Sequence, residues 1–566
     1  MRNKTRSKQR VLILSACVSL LFAFTFAASS SLEGLQRARR GAQKRERAQK
    51  EPPDKVRDRK APPQREAAPP PKPSQTPAVV SGSDSAVELG RSIDRAITES
   101  EFAFARWGVS VVSLRDGRVV YARDADKTFT PASNMKVYTT SVALDMLGAD
   151  YRWRTSVYAD AEPDRDGTIK GDLMLYGRGA PDLGARAERG TPNHLAQLAD
   201  DLYKRGVRRV RGNVVGDESY FRGEPLGDGW LWNDVQWYFG AEVSALTVNS
   251  NETTLTITSA NKADAEASIK LDTASDYFHV INDTKTVARG APLTIGVTRG
   301  LSDNDVRVWG DFAAGGRSYS VRLSVHKPAL WAAELFLRAL RSRGITVDGE
   351  TRLIDARSRP GSSDGERSDS SHGVELASIN SRTLGEIVHA TNKESLNLNA
   401  ELILRTLGKE RGSTAPDPDP ARMRTRGDDQ AGAAVVRLWL ERAGISTGTL
   451  ALHDGSGLSR LDRITPDATA RLLAAIAKTP SANVFRDSLP VSGRDGTLRS
   501  RLNRVSGRIL AKTGTLTYTN SLSGYATSAD NEPLAFSIIC NDETISESST
   551  KVIDEIAALL TEYSER

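Results

Sequence analysis

Apolar residues change their spacing several times along the chain, and each change marks a border. Residues 11–28, VLILSACVSLLFAFTFAA, form an apolar run behind a cationic head, MRNKTRSKQR. From 31 to 85 periodicity disappears and Arg, Lys, Glu, Ala and Pro dominate. Such a stretch buries too little apolar surface to order itself and reads as a semi-extended linker. Helical spacing starts in AVELGRSIDRAITES. Two alternating runs follow in WGVSVVSLRDGRVVYARDADKTF, meeting at Asp116-Gly117, which is a hairpin signal. Residues 128–147, TFTPASNMKVYTTSVALDML, then predict a helix that begins just after a proline.

Between about 155 and 370 the texture is one of short strands and turns, among them DLMLYGRG, NVVGDESYF, ETTLTITSA, APLTIGVTRG, DVRVWGDF and SYSVRLSV. Two helices interrupt them, PNHLAQLADDLYKRG and KPALWAAELFLRALRSRG, each closed by a glycine. After about 374 the spacing predicts helices over LASINSRTLGEIVHATN, LNLNAELILRTLG, AGAAVVRLWLERAG and DATARLLAAIAKT. Strands return at GRILAKTGTLT, SLSGYATSA and LAFSIIC, ahead of a last amphipathic helix, STKVIDEIAALLTEYS. Two low-complexity stretches, 359–373 and 412–429, predict loops. A hairpin near one end, with strands and a helix at the other, points to one sheet built from both ends and a middle that is inserted.

The chain has 566 residues, 39% hydrophobic and 26% charged, which suits two or three domains better than one core. Its net charge of +7 would suit nucleic-acid binding, but much of the excess lies in the first 65 residues, in runs such as QRARRGAQKRERAQK. The later part is nearly balanced, so nucleic acid is not an expected partner. The basic tail instead allows contact with a membrane surface or an anionic polymer. Cationic head, apolar run and following small residues predict export, with 1–30 acting as a signal peptide or membrane anchor. Of the two cysteines, Cys540 stands in a strand-like run and is expected to be buried filler. Six histidines are scattered without ligand spacing, so no metal is expected, nor any other cofactor.

Candidate chemistry comes from Ser133 and Lys136. A lysine three residues after a serine lies on the same helical face, and a lysine held neutral by burial can take the proton from the hydroxyl. Alone the pattern is weak, because Ser259–Lys262, Ser324–Lys327 and Ser548–Lys551 share it, and a capping serine beside a solvated lysine explains any one of them. Order decides. The partners of such a pair are a Ser-x-Asn and a Lys-Thr-Gly. Lys512-Thr513-Gly514 is the only Lys-Thr-Gly, on a strand. Ser-x-Asn occurs at Ser259, Ser302, Ser378, Ser395 and Ser481, and Ser395-Leu396-Asn397 stands at the head of a strong helix. Ser133, Ser395 and Lys512 remain as one ordered set.

With HDGSGLSR at 453–460, GRDGTLRSRL at 493–502, and YGRGAPDL, GNVVGDESYF and WLWNDVQWYFGAEVSALTVNSN in the middle, this set resembles the penicillin-binding D-alanyl-D-alanine carboxypeptidase/endopeptidase family, peptidase family S13. The resemblance runs from about 88 to 563. It implies a penicillin-binding, β-lactamase-like fold of α/β (α+β) class, with helices around an antiparallel sheet, and two smaller inserted domains. The catalytic domain would be 86–155 with 374–566, one insert 156–246 with 326–373, and the other 247–325. It further implies that Ser133 is the nucleophile, Lys136 its base, Ser395 a proton relay and Asn397 a positioner. Lys512 with Thr513 would bind the substrate carboxylate, Ser133 and Thr515 N–H groups the oxyanion, and Gly514 would let its strand come close to the substrate. Asp234 or a neighbouring tryptophan and Arg460 would hold a diaminopimelate side chain, against the plainer expectation that the tryptophans are core and Asp234 a cap. Asp454 and Ser456 are expected to shape a turn. The implied partners are peptidoglycan stem peptides and cross-links, with β-lactams as covalent inhibitors, in the periplasm or on the extracytoplasmic membrane face. Two alternatives stand beside this: a β-lactamase-type hydrolase, and a wall-binding scaffold without activity.

Overall fold

A computed structural model describes residues 83–184, 193–273, 276–355, 372–412, 427–545 and 547–565. The apolar head, the linker as far as residue 82, and most of the two low-complexity stretches lie outside them.

One sheet joins the two ends of the chain. Its five strands run in the order Ile509–Leu516, Thr519–Thr527, Pro533–Asn541, Arg106–Ser113 and Val119–Arg123, every neighbour antiparallel. The hairpin turns at Asp116-Gly117, with Gly117 at φ 83. Arg106–Ser113 is buried at all but its first residue because both faces of the sheet are covered. Alternation along Pro533–Asn541 divides its side chains: Phe536, Ile538 and Cys540 enter a core shared with the helices Asp84–Thr98 and Thr550–Glu562. Ala535 and Ile539 enter the opposite core, with Pro466–Ile476. Cys540 is fully buried and free.

In that second core the helix Met135–Leu147 is central: every residue from Met135 to Leu144 is buried. Buried all round although it carries Lys136, Thr139, Thr140 and Ser141, it packs among Leu384–Glu394, Asn397–Arg411, Asp428–Arg442 and Pro466–Ile476. This arrangement holds the turn before Met135 against the strand Ile509–Leu516.

The middle of the chain builds its own sheets. Five strands lie in the order Thr351–Ile354, Val214–Asp217, Leu173–Tyr176, Arg154–Ala159 and Val374–Asn380, and the helices His194–Lys204 and Pro328–Arg343 pack together alongside. Two three-stranded sheets follow, one of Tyr319–Ser324, Glu252–Thr258 and Ser268–Leu271, the other of His279–Val287, Asp305–Ala313 and Gly296–Arg299. Leu255, Ile257, Val306 and Val308 from these sheets share a core with Trp331 and Phe336 of the helix Pro328–Arg343.

The helix expected from residue 376 is corrected at its start. Val374–Asn380 is a strand, paired antiparallel with Arg154–Ala159, and it belongs to the insert sheet. The helix begins at Leu384, where a capping box fixes it: Thr383 Oγ1 accepts from Glu386 N at 3.3 Å and the Glu386 carboxylate accepts from Thr383 N at 2.9 Å.

Candidate active site

A change of helix type positions the serine. Ala132–Asn134 forms a 3₁₀ turn and the α-helix starts only at Met135. Ala132 enters the turn at φ 50, a left-handed backbone that costs about 1–2 kcal/mol for a residue with a Cβ. Asn134, not Ser133, occupies the N-cap position, and no side chain caps the helix. The Ser133 hydroxyl accepts instead from Lys136 Nζ at 3.0 Å.

Lys136 is fully buried and its Nζ reaches two further acceptors, Asn397 Oδ1 and the Ser456 carbonyl, both at 2.7 Å. Two carbonyl acceptors use two amine hydrogens. The third direction points at Ser133, where a neutral amine would present its lone pair. Burial brings the Lys136 pKa down to about 8, against the opposing pull of the Asp454 and Glu401 charges. Lys512 is also fully buried, and burial joined by the charge of Lys136 pushes it well below the ordinary lysine range.

Ser395 closes the helix Leu384–Glu394 in the left-handed conformation, φ 58, and the next helix begins two residues later at Asn397. This tight reversal lets both polar side chains of Ser395-Leu396-Asn397 face one centre. Lys512 Nζ donates to Ser395 Oγ and to the Thr513 carbonyl, both at 2.9 Å. Asn397 Nδ2 donates to the Phe239 carbonyl at 2.9 Å, so a main-chain group of the insert holds the asparagine from its other side.

Two glycines are required by close approach. A Cβ on Gly514 would meet Ser521 Oγ, the Pro131 carbonyl and Asn134 Nδ2. The bare face of Gly514 therefore lies against the turn that carries Ser133. Gly457, at φ 81, likewise lets the 453–460 turn touch the Ala132 carbonyl.

A cleft of about 750 Å³ opens above these groups, lined by Ser133, Ser395, Asn397, Thr515, Asp234 and Arg460 among others. Lys136, Lys512 and Gly514 lie behind this wall, and Thr513 is buried with its hydroxyl 2.8 Å from that of Thr497. The expected carboxylate grip of Lys512 and Thr513 therefore has no exposed Lys512 ammonium. Thr515 is the exposed threonine of that strand, and its hydroxyl donates to Asn520 Oδ1 at 2.8 Å. From the insert, Asp234 comes into the cleft opposite Arg460. Asp234 Oδ2 and Arg460 Nε are buried there without hydrogen-bond partners. Burial raises the Asp234 carboxyl and lowers the Arg460 guanidinium, each offset by the charge of the other. The tryptophans of WLWNDVQW divide: Trp230 donates to Asp454 Oδ2 at 2.9 Å, Trp232 is 75% exposed, and Trp237 packs against the insert core. The turn expected of Asp454 and Ser456 is there, but its Ser456 carbonyl also holds Lys136, a contact with no side chain to announce it in the sequence.

Comparison with known proteins points the same way. A family model described as the D-Ala-D-Ala carboxypeptidase 3 (S13) family matches residues 89–563. The D-alanyl-D-alanine carboxypeptidase of an Actinomadura species is 34% identical over 489 residues, spanning 84% of this chain and 85% of that protein. D-alanyl-D-alanine carboxypeptidase DacB of Haemophilus influenzae is 26% identical over 435 residues, 76% of this chain and 84% of its own. The crystal structure of penicillin-binding protein 4 from H. influenzae shares the fold, with a TM-score of 0.69 at 22% identity, covering 84% of this chain and 98% of that one. Its complex with a β-lactam gives 0.64 at 21% identity.

Proposed function

The chain belongs to the D-Ala-D-Ala carboxypeptidase 3 (S13) family, and from that premise we propose how its residues divide the work of a serine DD-peptidase. Neutral Lys136 takes the Ser133 proton as Oγ attacks the carbonyl between two D-alanines. The oxyanion sits against the N–H groups of Ser133 and Thr515, preorganised donors worth about 3–4 kcal/mol each. Collapse breaks the C–N bond, and the proton reaches the departing amine by way of Ser395. Water then attacks the acyl-enzyme and Lys136 takes its proton; as the ester C–O bond breaks, Lys136 returns that proton to Ser133 Oγ and the carboxylate product leaves. If the departing amine is a terminal D-alanine the enzyme is a carboxypeptidase; if it is the side chain of a neighbouring stem peptide, the same steps open a cross-link.

Thr515 would meet the substrate carboxylate at the cleft wall, with Lys512 one hydrogen bond behind it through Ser395. Asp234 and Arg460 on the cleft wall offer a carboxyl and a guanidinium to the zwitterionic end of a diamino acid. A β-lactam would form the same ester on Ser133 while keeping its leaving amine tethered. We read 156–246 with 326–380, and 247–325, as two inserted domains. The cationic head and apolar run support export to the extracytoplasmic side, and the basic linker supports adhesion to an anionic surface.

The observation that carries this reading is Lys136 Nζ, held by Asn397 Oδ1 and the Ser456 carbonyl and aimed at Ser133 Oγ. Incubating the full chain with a fluorescent penicillin tests it. Intact mass is expected to show one adduct per chain, absent in Ser133→Ala and formed about 10²–10⁴-fold more slowly in Lys136→Ala. An adduct that survives Ser133→Ala would remove the serine from this role.

A further inference from the structure

Beneath Lys136 lies a layer of charge that the reaction above does not use. Three carboxyl side chains, Glu401, Asp454 and Asp462, are buried there with at most 1% exposure. They surround the turn that offers its Ser456 carbonyl to Lys136. Glu401, one helical turn after Asn397, accepts from Gly455 N at 3.1 Å and Ser456 N at 2.8 Å. Asp454 accepts from Gly457 N at 2.6 Å, Ser459 N at 2.8 Å and the Trp230 indole at 2.9 Å. Asp462 accepts from His453 N at 2.7 Å, while its Oδ2 finds no donor.

Three buried carboxylates could not all stay ionised with so little positive charge beside them. Lys136 reaches them from the helix above. Arg405, one turn beyond Glu401, is buried and donates Nη2 to the Glu224 carbonyl at 2.6 Å. Lys512 faces Lys136 from the sheet. Two acceptor-only carboxylates side by side are satisfied once one of them carries a proton, and the unpartnered Oδ2 of Asp462 next to Asp454 is such a place.

We infer that Glu401, Asp454 and Asp462 form a positioning network for Lys136. The bonds of Glu401 and Asp454 to the 455–459 amides, with that of Asp462 to His453 N, hold the Ser456 carbonyl in place, and their shared negative charge sets how readily the amine loses its proton. Electrostatics in the site runs the same way: burial, with Asp454 nearby, raises the Glu401 and Asp462 carboxyls, and Asp454 and Glu401 both pull Lys136 upward against its burial. The inference rests on Lys136 acting as the base for Ser133.

The test is the pH dependence of acylation of the full chain by a fluorescent penicillin, followed by stopped flow. Glu401→Gln takes away its share of the negative charge but keeps an amide oxygen for the turn, so the midpoint of the acid limb should move to lower pH, by at most about one unit. Asp454→Asn reads the same charge from the turn side and should move it in the same direction, which keeps the question open to test if Glu401→Gln does not fold. A purely structural role would lower the rate at every pH and leave the midpoint in place; an unmoved midpoint in the variants that fold would overturn the proposal. Absence of any adduct on the wild-type chain would instead remove the assignment of Ser133 and Lys136 on which it rests.

Discussion

Lys136 makes its residue-scale prediction through a sign. Burial lowers its pKa to about 8, so the base form grows as pH rises through that value and falls tenfold per unit below it. Acylation rates measured from pH 5 to 10 are expected to rise along a limb of unit slope and level off above about 8. Gly514 makes another. Gly514→Ala would push a methyl group into Ser521 Oγ and the Pro131 carbonyl, so the Ser133 turn or the strand must shift. A stability loss of about 1–3 kcal/mol in thermal melts, with a larger fall in penicillin acylation, is the expected result. Ser133, Lys136, Ser395, Asn397 and Lys512 were legible in the sequence because each is a side chain in a short, ordered pattern. The carbonyls of Ser456 and Phe239 were not, since every residue has one and only folding brings these two to Lys136 and Asn397.

At the scale of elements, the helices Leu384–Glu394 and Asn397–Arg411 meet at a single left-handed residue, Ser395. Their start was also written locally: Thr383 and Glu386 have the spacing of a capping box, which marks Leu384 as the first helical residue. Val374–Asn380, by contrast, could not be recognised as a strand from its neighbours. Its partner Arg154–Ala159 lies far upstream, and apolar residues at 374, 376, 377 and 379 fit a helical face as well as a strand. The cap supplies a clean control. Thr383→Ala should cost about 1 kcal/mol of stability, seen as a lower Tm, while leaving the acylation rate unchanged, because Thr383 lies at the opposite end of its helix from Ser395.

At the scale of the molecule, the cleft takes walls from both ends of the chain and from the insert, and Asn397 is gripped by Lys136 on one side and by Phe239 on the other. The alternation of strand-like and helical texture announced this plan, including a sheet drawn from both ends. What it could not announce was which insert segment would touch the chemistry, because that depends on how separate cores dock. The sheet order also leads to a prediction about partial chains. Arg106–Ser113 pairs on one side only with Pro533–Asn541, and Lys512 lies two strands further on. In a series of truncated chains of increasing length, labelling by fluorescent penicillin should be absent until residues 509–541 are included.

That order of assembly gives the molecule a clock. Ser133 and Lys136 are synthesised before the middle of the chain, whereas the strand bearing Lys512 and the strand that pairs beside the hairpin, Pro533–Asn541, come after it. Under the proposed roles, a chain lacking residues 509–541 would carry Ser133 without the strand that brings Lys512 to the site. On that reading, the pairing that holds the sheet together would also keep a partial chain from acting as a hydrolase.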